Sequence, residues 1–201
     1  MNRRFEELLR PILTLVVVGA TLGVLLDGVH SHFGATSYTN PVFAKTAWWV
    51  PLLFAGAYVG GIVRPLFSDK PSLPLWKPAV GMGLFVAAYF VTVAPLDVST
   101  RIALLLGMFV TGYHFCDPSR ACLIVSAIAA FSGPFVEINL IRTGVFVHHE
   151  AHFEGVPYWL PVLYMNAGVG LGTLALWLVQ TNMAQRAARL ASHGRRRQAS
   201  T

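Results

Sequence analysis

Six apolar runs, each long enough to cross a bilayer, leave this chain few architectures to choose from. They lie at about residues 11–30, 47–67, 76–95, 99–115, 119–141 and 159–180. A membrane-spanning helix needs about 20 apolar residues, and it satisfies its backbone hydrogen bonds without water. Charged residues are only 12% of the 201 positions, about half the share of a soluble domain. No connecting segment could hold a separate soluble domain. The expected fold is all-α: one polytopic membrane domain over residues 1–201, a six-helix bundle. The first run is too long for a removable signal peptide, and no small-residue cleavage site follows it.

Charge sets the orientation. Six spans put both termini on one side, together with Arg3, Arg4, Arg10, Arg64, Lys70, Lys77, Arg120, Arg186, Arg189, Arg195, Arg196 and Arg197. The other side keeps only Lys45, Arg101 and Arg142. The positive-inside rule makes the termini cytoplasmic. The net charge of +6, including the basic tail at 186–201, then suits anionic lipid head groups and gives no reason to invoke nucleic acid. Twelve Arg against three Lys, with short loops, has a bacterial look. The expected location is a bacterial plasma membrane, or the endoplasmic reticulum were the chain eukaryotic.

Pro11, Pro51, Pro78, Pro118 and Pro161 mark five span starts, where a missing N–H is tolerated; Ser99 and Thr100 cap the fourth span. Aromatic rings in "AWWVP" (47–51) and "YWLP" (158–161) are expected at the outer head-group level. Gly19/Gly23, Gly56/Gly60 and Gly168/Gly172 have the spacing that lets helices touch. Packing within the chain is the first reading, a homo-oligomer through one of these faces the second. Pro134 lies inside the fifth run, where it is expected to kink or break the helix. Broken backbone at membrane depth needs shelter, so this span is a candidate cavity wall, with a simple kink near the outer end as the alternative.

Polar groups in the spans are few. Glu137 and Asn139 fall near the outer end of the fifth run, where a solvated helix end or a head-group contact would suit them, and Asn166 lies in the sixth. One such acid does not make a relay across the bilayer, which weighs against ion transport. "HHEAH" (148–152) lacks the metalloprotease order and reads as loop rather than a zinc site. Cys116 and Cys122 flank a cytoplasmic loop and are assigned no chemistry. No nucleophile motif, aspartate pair or phosphate loop is present, so no enzyme and no cofactor is expected. For "DPSR" (117–120), physics alone gives Asp117 as N-cap, Pro118 at the first helical position and Arg120 in the interface.

The order of "AWWVP" (47–51), "PSL" (71–73), Asp97, Asp117-x-Ser119-Arg120, Gly144-Val145 and "WLP" (159–161) resembles the Insig (insulin-induced gene) family over roughly residues 45–175. That resemblance implies a non-catalytic membrane protein binding an oxysterol-like lipid within the bilayer and restraining membrane partners such as Scap. It also gives Asp117, with Arg120, a place in a cytoplasmic partner-binding loop. The family's Asp-Arg-Ser-Arg-Ser-Gly stands here as Asp117-Pro118-Ser119-Arg120-Ala121-Cys122, a departure that weighs against a Scap-like partner. Thr100 takes the place of a Gln that lines the family's sterol site.

The expected ligand is a neutral glycerolipid such as diacylglycerol, or a sterol, because an apolar cavity without cations serves anionic heads poorly. Its expected lining is Trp49 at the outer mouth, Phe85, Tyr89, Thr100, Tyr113, Ser132, Gly133, Phe135 and Asn139. Aromatics at helical spacing also serve plain packing. The alternatives are a small transporter or channel gated by the Pro134 bend, and a zinc enzyme built on the outer histidines.

Overall fold

The computed structural model describes residues 3–67 and 73–198. Lys70, Pro71 and Ser72 of the second loop lie outside the described residues, as do the side chains of Arg3, Arg4, Arg189 and Arg195 to Arg197. The first span is α1 (Arg3–Val18), a π-helical turn at Gly19–Gly23 and α2 (Val24–His32). The second is shorter and broken: α3 (Val50–Gly60), a turn, and α4 (Val63–Leu66). Then follow α5 (Trp76–Val93), α6 (Val98–Cys116), α7 (Arg120–Arg142) and α8 (Leu160–Gln198). Five of these segments are long and apolar enough to cross a membrane, and Val50–Leu66 is a shorter apolar sixth. The protein is an all-α membrane bundle.

The long helix α8 is the hub. Its span is 67% buried, against 39% or less in the other four, because it packs on α1, α5, α6 and α7. Leu160, Leu163, Ala167, Leu171 and Ala175 give it a core face shared with Leu15, Tyr58, Phe85 and Leu105. Glycines let these helices approach. A Cβ at Gly168 would lie 2.5 Å from Ser126 Cα, and one at Gly19 would lie 2.6 Å from the Phe54 carbonyl oxygen. Those two Gly-xxx-Gly pairs are therefore spent inside the subunit, whereas a Cβ at Gly56 or Gly60 would meet nothing within 4 Å.

Several helix boundaries depart from expectation. Pro51, Pro78 and Pro161 sit in first turns, but Pro11 lies within α1 and Pro118 precedes α7 altogether. Ser119, not Asp117, caps α7, accepting from Cys122 N at 3.1 Å. Asp97, not Ser99 or Thr100, caps α6, accepting from Thr100 N at 3.0 Å. The helix α7 runs through Pro134 unbroken, with the proline buried. One lost hydrogen bond does not end a helix packed along its length. Irregular backbone lies instead at the turn between α3 and α4 and at Gly19–Gly23, where the wider turn accompanies the close approach to α3.

The outer loops are not merely irregular. Strand β1 (Thr36–Tyr38) pairs antiparallel with β4 (Phe146–His148), matching Thr36 to His148 and Tyr38 to Phe146. A tight hairpin, β2 (Pro41–Phe43) and β3 (Thr46–Ala47), lies between β1 and α3. Trp159 belongs to this outer layer but is 1% exposed. It is a core residue rather than a head-group anchor, flanked by the rings of His30 and His148. Beside it Arg101 pairs with Glu150 and donates to the carbonyls of Ala94 and Leu96.

Candidate functional site

The bundle encloses a cavity of about 540 Å³, within the usual range for ligand sites. Its back wall is α5 and α8, through Phe85, Tyr89, Ala167 and Leu171. Its sides are α3 and α7. On α3, Leu52, Gly56 and Gly60 fall one turn apart and line it; on α7, Ile128, Ser132 and Val136 do the same. All six are exposed although they line the cavity, so the space opens sideways as a slot between the two helices. Eight residues of helix make that slot about 12 Å long. It sits at the depth of the apolar spans, where the surroundings are lipid tails.

The outer end of the cavity is polar. Asp27, from the first span, is 6% exposed and accepts a hydrogen bond from the Tyr38 hydroxyl at 2.8 Å. Glu137 accepts from the Tyr164 hydroxyl at 2.5 Å, and its other oxygen lies 2.5 Å from His148 Nε2. The strand pairing of β1 with β4 carries Tyr38 and His148 to this end together. Gly133 makes the second arrangement possible: a Cβ there would lie 2.4 Å from the Tyr164 ring. The first two elements of this end, Asp27 and Tyr38, escaped sequence reading, although an aspartate inside an apolar run is itself a signal. The sequence suggests a solvated helix end or a head-group contact for Glu137; it is instead half-buried and bonded on both oxygens within the protein.

The expected lining residues divide. Phe85, Tyr89, Ser132 and Gly133 line the cavity. Trp49 stands behind it, edge-on to Tyr38 at 5.6 Å. Thr100 is exposed and bonded to Asp97. Tyr113 stacks on Phe109 in a separate cluster with Cys116, Cys122 and Val169. Phe135 is 68% exposed on the outer surface of α7, one turn from Phe131 and beside a shallow apolar groove. Asn139 donates to the carbonyl of Phe135 in its own helix, at 2.6 Å.

At the end of the bundle opposite the strand layer, Asp117 is 2% exposed. Arg64 Nε donates to its Oδ2 at 2.5 Å, and Arg64 Nη2 donates to Ser119 Oγ at 3.1 Å. The second span is thereby clamped to the loop before α7, while Arg120 is exposed. Among the described residues no three His, Cys, Asp or Glu converge as a metal site. Both cysteines, Cys116 and Cys122, are free and buried.

No family model matches the chain. It is similar to insulin-induced gene 1 proteins: 27% identical over 185 residues to that of Xenopus tropicalis, covering 84% of this chain and 72% of that protein. The human protein is 26% identical over 189 residues, covering 86% and 67%. The fold matches the crystal structure of a mycobacterial Insig homologue, MvINS from Mycobacterium vanbaalenii, with a TM-score of 0.78 and 23% identity over 85% of this chain and 95% of that one. A cross-linked trimer of MvINS matches with a TM-score of 0.76 and 23% identity, covering 88% and 96%.

Proposed function

The chain is Insig-like in sequence and in fold, and on that footing we propose that it is a non-enzymatic protein that holds a neutral amphiphile, a glycerolipid or a sterol, in its intramembrane cavity. The observation that carries this reading is the slot: an apolar cavity whose two side helices stand apart at bilayer depth. A lipid can enter from the membrane without crossing water. Each 100 Å² of tail surface placed against the α5 and α8 wall contributes about 2.5 kcal/mol relative to water, though much less relative to bilayer. Selectivity therefore falls to the polar end and to shape. The bacterial plasma membrane is the proposed location.

The Asp117 loop is proposed to act through its shape. With Asp117 clamped by Arg64, a partner at the cytoplasmic face would meet Arg120 and the contour of the loop rather than the Asp117 carboxylate. Self-association, as in the MvINS trimer, is proposed through faces other than Gly19/Gly23 and Gly168/Gly172, which are consumed within the subunit.

The test is lipid extraction from detergent-purified protein followed by mass spectrometry, with thermal unfolding measured against added diolein and cholesterol. At a hundredfold excess over Kd a ligand of the folded state adds about 2.7 kcal/mol, a readily measured rise in Tm. Protein that copurifies with no lipid and is stabilised by neither compound refutes the reading.

A further inference from the structure

The polar end of the cavity offers acceptors. Asp27 Oδ2 has Tyr38 as its donor, and among the described residues Asp27 Oδ1 has none. Glu137 takes one hydrogen bond on each oxygen, from Tyr164 and at His148, and each carboxylate oxygen has capacity for a second. Among the described residues no Lys or Arg lines the cavity. A separate polar group points to a missing partner. Tyr58, 1% exposed, lines the same space, and its buried hydroxyl has no hydrogen-bond partner among the described residues. Buried hydroxyls without a partner are uncommon and costly. Counting from the outer ends of α2, α3 and α7, Tyr58 lies about 5 Å deeper than the two carboxyl groups.

We infer that Asp27, Glu137 and Tyr58 form a head-group site that selects an amphiphile with an uncapped hydrogen-bond donor, a free hydroxyl or an amine, and with an acceptor a few ångströms below it. The inference rests on the lipid-binding reading and sharpens it. A donor head completes Asp27 and Glu137, and an ester, ether or hydroxyl oxygen deeper in the molecule accepts from Tyr58. A fully esterified lipid has nothing to give the carboxyl groups and leaves them desolvated, the kind of mismatch that discriminates strongly. A phosphate head meets two acceptor groups with no lysine or arginine to offset the repulsion.

The test uses the full chain in detergent and three probes with the same tails: 1,2-dioleoylglycerol, its 3-acetyl ester and dioleoyl phosphatidic acid. Oleylamine distinguishes an amine donor from a hydroxyl. The free alcohol is expected to bind at least tenfold tighter than the acetyl ester, with phosphatidic acid no better than the ester. Asp27→Asn, which keeps the shape and turns part of the acceptor into a donor, is expected to cut that preference at least fivefold. Should Asp27→Asn fold poorly, Tyr58→Phe serves. It removes a hydroxyl that has no hydrogen-bond partner among the described residues, so the unliganded Tm should hold while affinity for the alcohol falls severalfold. Equal binding of alcohol and ester overturns the donor rule and leaves the lipid cavity standing. Tighter binding of phosphatidic acid overturns it too, and binding of none of the probes overturns the head-group rule, while the lipid-binding reading falls only if lipid extraction and cholesterol fail as well.

Discussion

The aromatic ring of Tyr164 lies where a side chain at Gly133 would stand. A Cβ on Gly133 would come within 2.4 Å of that ring, and from this seat the Tyr164 hydroxyl reaches Glu137 at 2.5 Å. One missing methyl group on α7 thus fixes a residue of α8 and, through it, a carboxylate of the cavity.

Gly133→Ala is therefore expected to push Tyr164 out of place. Overpacking of this kind costs about 1–3 kcal/mol, read as a lower Tm. Gly133→Ala combined with Tyr164→Ala should lose less than the two single losses added together. Strict additivity would mean that the ring and the glycine are not coupled.

Breaking the Arg64–Asp117 clamp removes one half of a buried ion pair. Arg64→Met or Asp117→Leu singly is expected to cost about 3–5 kcal/mol, and the double replacement less, because it takes both charges of the pair out of the interior. Thermal unfolding of the three variants decides it. A double variant as unstable as the worse single would show that the pair holds the loop by more than mutual neutralisation.

Gly56 borders the slot, and a Cβ there meets nothing within 4 Å. Gly56→Trp should fold normally, with a small gain in helix propensity, and should plug the opening. The expected result is an unchanged Tm without lipid and no stabilisation by diolein. Full stabilisation of the variant would mean that lipid enters elsewhere.

Asp97 supplies a pH-dependent cap. Hydrogen bonds from the side chain and backbone of Thr100 hold its carboxyl below the usual carboxylate range. A depressed folded-state pKa gives stability that is complete above the unfolded value, about 3.9, and is lost as pH falls through the folded one. The Tm difference between wild type and Asp97→Ala should be flat from pH 6 to 8 and shrink below about pH 4. A difference that grows on acidification would have the wrong sign for this cap.

Apolar run length made the helices legible, and Pro51, Pro78 and Pro161 marked true starts. The cavity was harder to read for a physical reason. In a membrane both the lipid-facing and the core-facing sides of a helix are apolar, so periodicity no longer separates inside from outside. Phe85 turns into the cavity and Phe135 turns out to lipid, with nothing in their neighbouring residues to tell them apart. Glu137 looked like a wet helix end because its donors, Tyr164 and His148, come from other segments. Trp159 resembled an interfacial ring because its burial depends on His30 and His148. Pro134 signalled a kink or a break, and the helix continues through it, whereas Gly19–Gly23 gave up regular α geometry next to Phe54 and Tyr58.

The ladder between Thr36–Tyr38 and Phe146–His148 also dictates an order of assembly. Its halves are separated by the helices α3 to α7 and more than half of the polypeptide, so the first cannot zip until the second has been made. Tyr38 is carried by the early half and His148 by the late one. During synthesis Asp27 can meet Tyr38 early, but Glu137 waits for His148 and Tyr164, so the acidic end of the chamber is completed only from the late part of the chain.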